Sequence, residues 1–76
     1  MTSPLTHTDE QTLHAIRWWL ERHPWPPTVR ELAFHMGLRS TASAQYRRRR
    51  LRDKGYITWE PHKARTLRIV KDKETP

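Results

Sequence analysis

Leu13, Ile16 and Leu20 recur at helical spacing, with Trp19 on the flank of the stripe, and predict a first helix over roughly residues 7–22. Leu5 precedes Thr6 with Asp9 three residues on, or Thr8 with Gln11 in the next register; either pair has capping-box character. The segment His23 to Pro27 ends that helix, because proline lacks the amide donor and biases the residue before it away from helix. Thr28 with Glu31 repeats the capping pattern, and Leu32, Ala33 and Met36 supply the inward face of a short second helix. Gly37 suits a left-handed C-terminal position, Leu38 tucks back beneath the turn, and Ser40 or Thr41 caps a third helix at about residues 41–54. Gly55 ends it in the same way. Tyr56 to Trp59 and Thr66 to Val70 then have the β-branched and aromatic content of strands, joined by a turn starting at Pro61. The last residues, Lys71 to Pro76, are expected to fray.

This order predicts an α+β winged helix-turn-helix: three helices plus a C-terminal two-stranded β-hairpin wing. At 76 residues the chain makes one domain, expected over 1–76 with its ordered part at about 5–71. Cysteine is absent, so neither disulfides nor thiolate metal sites contribute; four tryptophans enlarge the area each buried residue can offer. No apolar run approaches the ~18 residues of a membrane span. Met1 to Pro4 lacks a secretory pattern, so the expected location is cytoplasmic and nucleoid-associated.

Charge sharpens the picture. Residues 1–38 hold three basic and four acidic side chains, whereas residues 39–76 hold twelve and four, within a net charge of +7. Such a lopsided domain points to a polyanion. A membrane surface is the weaker partner, because the basic helix lacks a broad apolar face opposite its arginines. Advancing 100° per residue turns Ala44 and Leu51 toward the body with Arg47 and Arg48 beside them. The same phase turns Ala42, Gln45, Tyr46, Arg49 and Asp53 outward, with Ser43 and Arg50 at the margin. Gln45 can make a bidentate contact to adenine, Arg49 can reach guanine or phosphate, and Ala42 can touch a thymine methyl. Ser43 can donate or accept, and Tyr46 can contact a base or the sugar-phosphate. Thr28, Arg39, Ser40, Thr41 and Arg50 suit phosphates, and Lys63 and Arg65 at the wing tip suit the adjacent minor groove or its backbone.

Other chemistry finds little support. The five histidines (His7, His14, His23, His35 and His62) form no i,i+4 pair, so no metal or cofactor is expected. No phosphate loop or nucleophile with a base at useful spacing is present, so the chain is not read as an enzyme. Two alternatives to duplex DNA binding stay open: an RNA-binding winged helix, and a protein-interaction module using Trp18, Trp19 and Trp25 as an apolar patch. Such rings more often pack in the core or the connector.

The string PPTxxELAxxxGLRS, followed after the arginine-rich helix by Lys54-Gly55-Tyr56-Ile57, resembles the N-terminal winged-helix domain of the SOS-response repressor LexA. The likeness runs from about Leu5 to Val70. It implies a bacterial or phage transcription regulator that represses by covering operator DNA, with helix 3 in the major groove and the wing beside it. A single 76-residue copy should bind only modestly, so pairing on a two-half-site operator is expected. The family's reading positions correspond to Ser40, Ala42, Ser43, Gln45 and Tyr46. Family members commonly carry asparagine where Ala42 stands and acidic residues where Gln45 and Tyr46 stand, so this chain offers bases a different donor and acceptor pattern. No Ser/Lys protease domain fits within the 76 residues, so a stand-alone regulator is expected. Arg48 occupies a position the family keeps apolar; its stem is expected along Trp18 or Trp19.

Overall fold

The computed structural model describes residues 5–71. The elements run α1 (His7–Arg22), α2 (Val29–His35), α3 (Thr41–Asp53), β1 (Ile57–Thr58) and β2 (Arg68–Ile69). The two strands pair antiparallel, with Ile57 opposite Ile69 and Thr58 opposite Arg68. This is the three-helix, two-stranded winged helix-turn-helix expected from the pattern. Fraying, expected from Lys71 onward, falls from residue 72 outside the described residues, as does the region from Met1 to Pro4. Among the described residues no helix is long and apolar enough to cross a membrane.

Local signals set the helix ends. Of the two registers open at the start of α1, the chain uses Thr6: its hydroxyl accepts from the Asp9 amide at 3.1 Å, while the Thr6 amide donates to Asp9 Oδ2 at 3.1 Å. Thr28 and Glu31 form the same reciprocal pair at α2, at 3.1 and 2.9 Å. Both satisfy amides that a helix start leaves without intrahelical partners. Ser40 caps α3, its hydroxyl accepting from the Ser43 amide at 3.3 Å. The C-terminal ends of α2 and α3 are closed by glycines in the left-handed region, Gly37 at φ +72° and Gly55 at φ +86°. After each, the next amide returns five residues, Leu38 to Ala33 O at 2.8 Å and Tyr56 to Leu51 O at 3.0 Å.

All three helices and the wing contribute to the core. Leu13, Ala15 and Ile16 come from α1, Leu32 and Ala33 from α2, Ala44 and Leu51 from α3, and Tyr56, Ile57 and Leu67 from the wing. Ile16, Ala44 and Leu51 are wholly buried. Two polar side chains, Asp9 and Thr12, are buried with them. The Thr12 hydroxyl donates to Thr8 O at 3.0 Å, so it enters the core with its polar atom satisfied.

The strands are shorter than their composition suggests, two residues each instead of four and five. Thr66 replaces ladder bonds with its hydroxyl, which accepts from the Glu60 amide at 2.8 Å and lies 3.3 and 3.1 Å from Glu60 O and Lys63 O. Pro61 and His62 make the expected turn, with the Lys63 amide donating to Glu60 O at 3.2 Å and His62 at φ +66°. Arg65 is left-handed as well, at φ +59°. Neither residue is extended there, so pairing stops short of the tip.

Candidate nucleic-acid interface

Burial of Ala44 and Leu51 fixes the roll of α3. Ala42, Gln45, Tyr46, Arg49 and Asp53 all stand exposed, as the helical phase predicts, and Ser40 and Thr41 are exposed at the helix start. Ser43 is half-buried at the edge of this flank. Arg39 is exposed just before the cap. The face thus joins amide and phenol hydroxyl groups to guanidinium groups, with small side chains toward the N-terminal end. Arg39, Arg47 and Arg49 make none of the ion pairs found among the described residues.

Beside it, Thr28 lines one cleft with Lys63, Arg65, His62, Arg48 and Trp59. The fold therefore brings the start of α2, the wing tip and one side of α3 together. Lys63 is exposed and sits 3.5 Å from Glu60 Oε1, a loose surface pair.

Three arginines go elsewhere than the sequence suggested. Arg50, expected at phosphates, turns to Asp9 of α1, with Nε 3.2 Å from Oδ1 and Nη2 3.4 Å from Oδ2. Lys54 Nζ meets the same carboxylate. Burial pushes the Asp9 carboxyl up. Hydrogen bonds from Arg50 and Lys54, then from the Thr6 amide and hydroxyl, outweigh that and hold it well below the usual carboxylate range. Arg50 is held more firmly protonated in return, by Asp9 first and Tyr46 second. Its guanidinium lies 5.9 Å from the Tyr46 ring centroid, so one arginine links the buried carboxylate to the exposed face.

Arg65, expected at the minor groove, folds back from the wing onto Glu31 and Pro26 of the α2 approach. The Thr28 amide, and after it Arg65, holds the Glu31 carboxyl below its ordinary value. Arg48, expected along Trp18 or Trp19, instead sits over Trp59 of the wing, its guanidinium 4.3 Å from the ring centroid. Arg52 reaches the same ring at 4.5 Å. The turn after Gly55 carries Trp59 back across α3, which puts this ring, and not those of α1, on the arginine side. Burial, then the neighbouring charge of Arg52, depresses the Arg48 pKa. Its buried Nε has no hydrogen-bond partner among the described residues, so the aromatic face is its main compensation.

The other tryptophans have intramolecular roles. Trp18 stacks on His35 at 4.6 Å, and Arg22 lies 4.2 Å over the same ring. Trp19 stacks on His23 at 4.0 Å and donates from Nε1 to Trp25 O at 2.9 Å, which staples the proline connector to α1. Sequence reasoning passed over Phe34, which stands 88% exposed beside Trp18 and Trp19. It also missed Asp9 as a hub, although a signal existed: Asp9 lies four residues before Leu13 and seven before Ile16, in phase with the buried stripe.

A family model for the LexA DNA binding domain matches residues 2–66 of the chain. The chain belongs to that family. A LexA repressor of Sorangium cellulosum is 45% identical over 64 residues, covering 84% of this chain and 28% of the relative. The transcription regulator LexA of Synechocystis is 39% identical over 70 residues, covering 92% and 34%. A LexA repressor of Mycobacterium leprae is 35% identical over 75 residues, covering 99% and 32%. The chain thus spans about a third of the length of the LexA relatives it matches.

Proposed function

We propose that this chain is the sequence-specific, double-stranded DNA-binding unit of a LexA-type transcriptional repressor, acting by occupancy of an operator and without chemistry of its own. The observation that carries this reading is the α3 flank of Ala42, Gln45, Tyr46 and Arg49, exposed because Ala44 and Leu51 on the opposite side are wholly buried. A helix presented this way fits the major groove, where each base pair shows a distinct donor and acceptor pattern. Gln45 matches adenine, Arg49 matches guanine or a flanking phosphate, and Ala42 leaves room beside a thymine methyl. Ser40, Thr41 and the amides of the α3 start address the backbone, with Arg39 and Arg47 supplying charge. Lys63 carries the wing's contact to the neighbouring backbone.

A second copy on a paired half-site is part of the proposal, since one small reading helix contacts few base pairs. The LexA relatives are named as repressors, which supports the sign of regulation.

One set of titrations tests the proposal. A duplex selected from a random library is expected to bind with a log K against log salt slope of about −4 to −5, for roughly five neutralised phosphates. Two copies should bind per palindromic site, and an A-form RNA duplex should compete weakly. Gln45→Ala should weaken the selected duplex by roughly tenfold or more while changing an unrelated duplex less than about twofold. A slope near zero, preferred binding of RNA, or an equal loss on both duplexes would contradict the reading.

A further inference from the structure

Arg65 is the polar residue by which the wing tip reaches the α2 side of the domain. Its Nη1 donates to Pro26 O at 3.0 Å and to Glu31 Oε1 at 3.2 Å, and its Nη2 donates to Glu31 Oε2 at 3.3 Å. The guanidinium also lies 5.7 Å from the Trp25 ring centroid. Its backbone is left-handed at φ +59°, a conformation that a residue bearing a Cβ keeps only where its surroundings hold it. The acceptor is fixed in advance. Glu31 is the third residue of α2, and its Oε1 also accepts from the Thr28 amide at 2.9 Å. A two-pronged carboxylate already oriented by a helix start matches the planar fork of an arginine.

Among the described residues, the rest of the wing tip is held by local hydrogen bonds and ion pairs, from the Thr66 hydroxyl, the Glu60–Lys63 turn and the Lys63–Glu60 pair. The contacts of Arg65 span 34 and 39 residues of sequence and tie this loop to α2 and its approach. A phosphate at the same guanidinium would have to share it with the Glu31 carboxylate, whose charge repels it.

We infer that Arg65 is a positioning residue: it straps the wing to the start of α2 through Glu31 and Pro26, setting where Lys63 stands relative to α3, and does not itself neutralise a phosphate. This rests on the DNA-binding proposal and refines it. The strap turns the wing from a loose arm into a fixed companion of the reading helix. Ordering the loop before binding lowers the entropy lost on the duplex.

The test uses Arg65→Gln, Arg65→Lys, Glu31→Gln and the Arg65→Gln/Glu31→Gln double variant in the full chain. Glutamine at position 31 keeps the acceptor for the Thr28 amide and removes the charge facing Arg65. Arg65→Gln and Glu31→Gln should each weaken the selected duplex by roughly three- to tenfold, and the double variant no more than either alone. The salt slope should match that of the unsubstituted chain in every case, and Arg65→Lys should restore little, since an ammonium lacks the fork. The strap is overturned if Arg65→Gln reduces the slope by about one while Arg65→Lys retains binding and Glu31→Gln leaves it intact or tighter, the signature of a phosphate contact. It is equally overturned if none of the substitutions changes affinity. Failure of the unsubstituted chain to bind any duplex would instead defeat the DNA-binding proposal. The strap is then decided by amide exchange at Lys63, which Arg65→Gln and Glu31→Gln should accelerate alike; unchanged exchange refutes it.

Discussion

Replacing Asp9 with alanine is expected to lower folding stability by about 3–5 kcal/mol at neutral pH, the usual consequence of removing one member of a buried ion pair. The Asp9 side chain is buried, and it serves three partners at once: the Thr6 amide, Arg50 and Lys54. Lys54 is 13% exposed, so losing the carboxylate removes an anionic partner from a cation with little access to water. Arg50 is better placed to recover hydration, which keeps the expectation below a full sum over both partners. The same substitution removes the Thr6 amide's acceptor, while the Thr6 hydroxyl keeps its bond from the amide of residue 9. Urea unfolding of the variant measures the loss; a change under about 1 kcal/mol would mean the carboxylate contributes nothing net.

Acid provides an independent check on the same group. The Asp9 carboxyl is depressed in the folded chain, so its contribution is complete above the ordinary carboxylate pKa of about 3.9 and fades as pH falls toward the folded value. Stability of the unsubstituted chain should therefore drop below about pH 4, and Asp9→Ala should flatten that acid limb. Glu31 is depressed too, so some slope should survive in the variant.

Leu51→Ala is the second large expectation, at about 2–5 kcal/mol. Leu51 is wholly buried and clusters with Leu13, Ile16 and Leu32 of the helices and Tyr56, Ile57 and Leu67 of the wing. Truncating it opens a void at the point where α3, α1 and the wing meet. The described residues share one hydrophobic core cluster, and each kcal/mol corresponds to roughly 4–8 °C in Tm. A thermal melt followed by circular dichroism should shift down by at least about 10 °C. A shift of only a few degrees would show that the neighbours collapse into the space.

Which parts of this arrangement could be read from the chain follows a physical divide. The bounds of α1 and α2, and the end of α3 within a residue, follow from Thr6, Pro24, Thr28, Gly37 and Gly55, because capping boxes, prolines and left-handed glycines act over five residues or fewer. The outward set on α3 was equally legible, since helical phase and two apolar anchors decide it. Arg48, Arg50 and Arg65 were not, because an arginine's long stem lets distant groups decide where its charge lies. Asp9 is 41 residues from Arg50, and Glu31 is 34 from Arg65. Counting basic side chains therefore overstates the charge left for a polyanion. The strands shrank for a related reason, because one threonine hydroxyl at the wing took over bonds a ladder would have made.

Helix ends ordinarily come undone before the rest of a protein does. In this domain the opening turn of α1 shares its carboxylate with α3, so fraying there would cut the moorings of the reading helix in the same motion. Partial loosening and loss of the interface thereby merge into one event, and the Asp9 and Glu10 amides should exchange at the pace of whole-domain opening; fast exchange there would separate the two.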